Sequence, residues 1–456
     1  MIRFLLVVFL GNLFTGFSQN TKVKFFDKLA CTKYISDGTE MYNNGRTSDA
    51  LMFFRQAKVK NPTNWKAYFW LATSEFELNS FNLALENANK ALELTKDKTD
   101  SDLQILLGRI NHKLNMIESA IGYFKNAKSD LGDKLAIEYD IPIYLEQCEF
   151  ALNEQKNGIQ NKRISISNKL NSKYDEYGPI LIDGGKQLFF TARNSETTGG
   201  NLNPEDQRFF EDMYHAVWNA ELGDWTLKEE TFEGINTEGF DALSFVSHDG
   251  LYGLGTLNTA ASKEKSTTSS DIFEINTDIP GTWGGLEIIK NTGINNSFFD
   301  GAATITDTIY NEDETFSQTM YFVSDRMGDK TLTDIYSIEK KNGVWQTAKL
   351  LPKEINTKGR ETTPFITPDG KYLFFSSDAL KGMGGFDIYY SENLGQTWGK
   401  PVNLGAKFNT VNDDSHFQIY FDLKKVVLAG IEENDGVFNY DIFEVNIEGM
   451  DYPFLK

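Results

Sequence analysis

The 456-residue sequence predicts an α + β multidomain chain, an N-terminal α-solenoid followed by a five-bladed β-propeller. Three observations predict it. A helical unit of roughly 34 residues repeats in the first third, and a β-meander then recurs five times. Between them, near residue 157, the apolar period falls from about 3.6 residues to 2, which marks a change from helix to strand.

Residues 1–19, MIRFLLVVFLGNLFTGFSQ, hold one cation at Arg3, an apolar core from Phe4 to Leu10 and a small, polar end, the pattern of a secretory signal peptide. Its removal takes one of the 45 cations and none of the 65 acids, so the formal charge moves from −20 to −21. That balance argues against nucleic acid or an anionic bilayer surface as the main partner. No later segment supplies the run of about 18 apolar residues that a span requires, so the mature chain is expected not to cross a membrane. Cys31 and Cys148 are too few for a disulfide framework; one bridge and two free thiols both remain open.

Residues 20–156 read as the helical domain. Gly38, Ala50, Phe54, Ala57 and Pro62 set a template; Ala72, Ala84, Ala88 and Ala91 repeat it, and Gly108, Ala120, Phe124 and Ala127 repeat it again. Small residues recur where the two helices of a hairpin must approach closely. This resembles the tetratricopeptide repeat, in three copies, with a fourth helical stretch from Leu135 to Leu152 expected to cap the stack. In that family the first helix of each pair lines a concave groove. The resemblance places Tyr42, Lys66, Phe69, Phe76, Asp102, Arg109 and His112 on it. The groove is expected to hold a protein partner, the alternative being that the solenoid docks on the propeller of its own chain.

Residues 157–456 read as the propeller. The clearest unit is 361–391, with an apolar run, a Pro368-Asp369-Gly370 turn, a second run, a glycine-rich loop and the strand Asp387-Ile388-Tyr389. The last strand recurs at Asp212-Met213-Tyr214, Asp271-Ile272-Phe273, Asp334-Ile335-Tyr336 and Asp441-Ile442-Phe443. Trp225, Trp283, Trp345 and Trp398 follow the first four, as expected of blade packing. Each unit is preceded by an Asn and, five residues on, an acid: Asn171/Glu176, Asn236/Asp241, Asn295/Asp300, Asn356/Glu361 and Asn409/Asp414. The fifth unit lacks the strand that follows the tryptophan in the others, and residues 163–170 have no meander before them. That segment is therefore expected to complete the fifth blade, closing the ring and removing open edges. The loops Asn194 to Glu211 and Thr259 to Ser270 are longer than a blade needs.

The run Pro-Asp-Gly-Lys-Tyr-Leu-Phe-Phe-Ser-Ser followed by Gly-Gly-Phe-Asp-Ile-Tyr-Tyr resembles the WD40-like, TolB-type repeats of Bacteroidetes cell-envelope proteins. The order signal peptide, tetratricopeptide repeats, propeller is similar to the N-terminal part of PorE-type proteins of the type IX secretion and gliding apparatus. The resemblance implies a scaffold that binds protein partners, a PorP-like outer-membrane protein or other secretion or gliding components. It implies a location in the periplasm or on the periplasmic face of the outer membrane, with the cell surface an alternative. The OmpA-like module usual in that family does not follow the propeller within these residues, so peptidoglycan anchoring is not carried over.

No catalytic constellation stands out. The four histidines (His112, His215, His248, His416) show no ligand spacing, and no Gly-x-Ser-x-Gly occurs. Gly382-Met383-Gly384-Gly385 lacks the following helix and Lys-Ser/Thr pair of a phosphate cradle. The serious candidates are the five repeated acids. Glu176, Asp241, Asp300, Glu361 and Asp414 could ring one mouth of the central channel and hold Ca²⁺ through hard oxygen ligands. A residue repeated in every blade more often serves the repeat, by accepting backbone N–H groups and tying blade to blade. The expectation is a non-enzymatic protein without cofactor. The alternative is a glycan-binding or glycan-cleaving propeller, which would need two acids in unlike surroundings.

Overall fold

A computed structural model describes residues 23–95, 100–159, 162–204, 206–261, 269–310, 314–328, 332–434 and 436–456. The signal-peptide reading of residues 1–19 and most of the second long loop lie outside these. Among the described residues, seven helices come first: α1 (Phe25–Asn43), α2 (Thr47–Lys60), α3 (Trp65–Glu77), α4 (Phe81–Thr95), α5 (Ser101–Lys113), α6 (Ile117–Glu138) and α7 (Ile141–Lys156). No helix among them is long and apolar enough to cross a membrane.

Three antiparallel hairpins, α1/α2, α3/α4 and α5/α6, form the solenoid. Their contacts explain the repeated small residues. A Cβ on Gly38 would stand 2.6 Å from the Phe54 ring, and one on Gly108 would stand 2.5 Å from Phe124. The middle repeat carries Ala72 and Ala88 at the corresponding positions, both fully buried. Glycine therefore goes with phenylalanine and alanine with alanine, which conserves the volume between paired helices. Asn64 and Asp100 cap α3 and α5 through side-chain oxygens that accept the N–H of Lys66 and Leu103.

The expected cap over Leu135 to Leu152 is not one helix. Gly132 (φ 76°) kinks α6, Asp140 takes a left-handed φ of 54°, and Pro142 opens α7, so the chain turns between Glu138 and Ile141.

Five sheets follow. Blade one is Asp175–Ile182, Gln187–Arg193, Asp212–Asn219 and Asp224–Leu227; blade two is Phe240–Val246, Tyr252–Asn258, Asp271–Asn276 and Leu286–Ile288. Blade three is built on Asp300–Ile305, Phe316–Ser324 and Asp334–Lys341, and blade four on Glu361–Ile366, Tyr372–Ser377, Asp387–Glu392 and Val402–Asn403. Blade five is Asp414–Tyr420, Lys425–Asn434 and Val437–Asn446, completed by Ile164–Ser165 from the start of the domain. Of the expected closing stretch 163–170, only these two residues pair as strand. Ser167 ends the strand by accepting the N–H groups of Lys169 and Leu170 on its hydroxyl.

The hairpin turns follow their sequence. Gly370 in Thr-Pro-Asp-Gly and Gly250 in Ser-His-Asp-Gly both sit near φ +70°, and each donates its N–H to the residue three back at 2.8 Å. Ser247 and Thr367 make the same hydroxyl contact to Asp249 and Asp369, so His248 replaces proline without changing the turn. Two of the repeated tryptophans pack across blades, Trp283 on Phe189 and Trp398 on Tyr321, each with ring centroids 5.8 Å apart.

Candidate functional site

The five repeated acids open, or nearly open, the inner strands, and all are 0–2% exposed. Each accepts the N–H of the residue four before it, from Ser172, Thr237, Asn296, Thr357 and Thr410, at 2.5–2.9 Å. Four also take the hydroxyl of that residue. The carboxylates are thus spent on the turn that enters each blade. None of the five lines the cavity on the propeller axis, and only Glu176 borders a second cavity, outside blade one. Asp300 is further paired with Arg326, and Asp414 with the buried Arg163. Among the described residues no three His, Cys, Asp or Glu side chains are grouped to hold a metal ion.

The repeated Asn does the tying between blades. Asn171, Asn236, Asn295, Asn356 and Asn409 each accept one N–H and donate to one carbonyl of a single residue on the third strand of the preceding blade. Those residues are Ile442, Met213, Ile272, Ile335 and Ile388, at 2.7–3.1 Å. The main chain adds to this: the N–H of Asp241, Asp300, Glu361 and Asp414 bonds to the carbonyl just before the third strand of the blade behind.

A consequence is that carboxyls meet at every junction. Glu176 is coupled to Asp441, Asp241 to Asp212, Asp300 to Asp271, Glu361 to Asp334 and Asp414 to Asp387. Burial, reinforced by the neighbouring acid, pushes Glu176 up to about 8 and Asp241 to about 7. Burial also pushes Asp441 up to about 7 and Asp414 to about 6, the latter opposed by Arg163.

The predicted groove residues divide into two groups. Tyr42, Phe76 and Arg109 come together: the Arg109 guanidinium lies 4.4 Å over the Phe76 ring and 3.7 Å from Glu77. Burial, and then Glu77, raise the Tyr42 phenol. Tyr42 also packs edge-on against Trp70, which packs on Phe69. Lys66 and Asp102 are exposed, and Tyr42, Phe69 and Arg109 are half-exposed. Phe76 and His112 are not open to a partner. Phe76 is buried in a cluster with Phe81, Ile431 and Phe438, the last two from blade five. His112 is buried against blade four, with its ring beside Met383 and Gly384, and burial pushes it down to about 4.

The solenoid therefore docks on its own propeller along its C-terminal half. Phe81 meets Phe438 with ring centroids 4.8 Å apart, Asn82 donates to Glu433 at 2.8 Å, and Lys113 pairs with Asp413 at 3.4 Å. The glycine-rich loop is the seat. Met383 is buried among α5–α7 residues. Gly384 (φ 132°) leaves no room for a Cβ, which would fall 2.4 Å from His112. Met383 and Gly384 donate their N–H groups to Asp387, which fixes the loop. No sequence periodicity announces this pairing; its signal was a glycine run without a phosphate-binding context.

Both cysteines are buried free thiols, and burial pushes Cys148 up to about 12. That is the setting of packing residues and not of nucleophiles.

No protein-family model matches this sequence, and no curated protein matches it. Solved structures similar to it include tetratricopeptide-repeat domains. The Arabidopsis OM64 domain is 20% identical, with a TM-score of 0.24, over 27% of this chain and 96% of that one. The first such domain of Spaghetti (RPAP3), bound to the HSP90 peptide SRMEEVD, is 16% identical, with a TM-score of 0.25, over 28% and 95%. YrrB, described as having an unusual peptide-binding site, is 17% identical, with a TM-score of 0.24, over 30% and 71%. At these values the reading of the fold rests on the helix pairs and blades themselves.

Proposed function

We propose that this protein is a non-catalytic scaffold that gathers protein partners outside the cytoplasm, in the periplasm or at the outer membrane. The observation that carries the reading is the division of the groove. Its C-terminal half is filled by the propeller, while Tyr42, Lys66, Phe69 and Asp102 remain accessible beside Trp70. Aromatic surface flanked by charge suits an extended peptide segment, with stacking for affinity and ion pairs for orientation. Docking holds this open half at a fixed place relative to the propeller, so two partners would be presented in one geometry.

The resemblance to PorE-type proteins supports a role in type IX secretion, gliding or a related envelope assembly, with a PorP-like outer-membrane protein or another component of that machinery as partner. Crosslinking in the native envelope followed by purification tests this. A stoichiometric envelope protein should be recovered, and Tyr42→Ala with Phe69→Ala should lose it while the chain remains folded by circular dichroism. Recovery of the protein alone would count heavily against the reading.

A further inference from the structure

The propeller axis holds a cavity of about 770 Å³ that departs from the repeat. The inner strands of blades two, three and four present Ala242, Ala302 and Thr363 to it, with Phe240, Phe299 and Phe386 also in the lining, whereas blades one and five bring Tyr177, Tyr440 and His416 together on one side. Tyr177 lies 5.2 Å from His416 and 5.9 Å from Tyr440 between ring centroids, so the three form one aromatic wall facing an open side. The wall is fixed from behind. Tyr177 stands against Glu211 and Tyr440 against Ser415, and His416 Nδ1 is hydrogen-bonded to the Ser415 hydroxyl at 2.8 Å. Part of the lining comes from the long loop Asn194 to Glu211, which has no counterpart of its length in blades four and five.

The chemistry of the lining selects a ligand. The chain carries −20, yet three arginines (Arg193, Arg208, Arg360) and three acids (Asp175, Glu211, Asp325) face this cavity. Arg193 is already held by Asp206 and Arg208 by Asp175, both at 2.8 Å. A charged ligand would meet a balanced field, and a wholly apolar one would strand these polar groups without water. What matches is a neutral ring with a flat C–H face for the aromatic wall and hydroxyls that both donate and accept. The size falls within the range of about 300–1,000 Å³ in which proteins hold small ligands. We propose that the axial cavity binds a neutral saccharide, at a site separate from the solenoid groove.

The test uses the full chain and ligand-observed NMR with maltotriose, cellotriose, mannotriose and N,N′,N″-triacetylchitotriose. A trigalacturonate, a chitosan trimer and an uncharged tetrapeptide serve as controls. At least one neutral trisaccharide should bind saturably while the controls do not. Ala242→Phe, which fills the cavity from a strand that keeps its backbone, should abolish binding. Tyr177→Ala should weaken it by about tenfold or more, which is 1.4 kcal/mol of affinity. Absence of binding by all four neutral saccharides, survival of binding in Ala242→Phe, or preference for the tetrapeptide would each overturn the proposal. Capture of envelope partners by the groove is read separately, so either reading can fail alone.

Discussion

Asn171 holds Ile442 by two hydrogen bonds, each 2.9 Å long, across 271 residues of chain. The same two-bond grip joins every other pair of adjacent blades, but only this one joins the two ends of the domain. It lies beside the two-residue strand Ile164–Ser165, whose short ladder alone is a weak closure.

Asn171→Ala should therefore open the ring, where Asn356→Ala removes the same chemistry from inside a continuous chain. Each leaves a buried N–H and carbonyl unpaired, on the order of 2–4 kcal/mol in all. Hydrogen exchange should separate them: Asn171→Ala should deprotect Ile164 to Ile166 and the edge of Val437–Asn446 before global unfolding, and Asn356→Ala should not. Equal exchange patterns would remove the distinction.

Gly108→Ala and Gly122→Ala should differ in sign although they sit on the two helices of one hairpin. Alanine is favoured over glycine in a helix by about 1 kcal/mol. At Gly122 a Cβ meets nothing within 4 Å, so the melting temperature should rise. At Gly108 it would stand 2.5 Å from Phe124, an overpacking that typically costs about 1–3 kcal/mol. Gly108→Ala with Phe124→Leu should recover part of the loss in a double-mutant cycle.

Gly384→Val should loosen the solenoid from the propeller without unfolding either. The added side chain meets His112 at a φ of 132° that valine resists. Limited proteolysis at the polar junction near Asn157 should accelerate, and small-angle scattering should show a larger radius. A protease pattern identical to the wild type would mean that the loop is not the seat.

Stability should fall as pH rises above about 6.5. Buried Glu176, Asp241, Asp441 and Asp414 stand at about 8, 7, 7 and 6, against about 4 in an unfolded chain. The folded state keeps protons that the unfolded state gives up, so this contribution is complete below about pH 4 and is lost through pH 6–8. Burial depresses His112, His215 and His416 to about 4, which acts in the other direction only as pH falls below about 6.5. Thermal melts between pH 6.5 and 8.5 should decline, and Asp441→Asn should flatten the slope. A rising curve in that range would contradict the assignment.

The repeats were legible because each blade and each hairpin solves the same packing problem with the same residues. Gly38 with Phe54, Pro368-Asp369-Gly370, and Asn five before an acid are local and periodic, and the ring closure followed from counting strands. The acids looked like a channel rim because spacing gives a position along a strand but not the direction of a side chain. The seat of His112 on Gly384 joins residues from two different repeat systems, so neither periodicity predicts it. Tyr177 and His416 were hidden for the opposite reason: they occupy repeat positions and matter because they are larger than their counterparts.

The same seat decides how tension would travel through the molecule. A partner pulling on α1–α3 would, in an undocked chain, draw directly on Ile164–Ser165, a few residues beyond the end of α7, and peel the ring at its shortest ladder. With Phe81 on Phe438, His112 on Met383 and Lys113 on Asp413, traction enters blades four and five from the side. The closing strand then lies off the line of force, and the strength of the assembly under pull is set by side-chain contacts in shear.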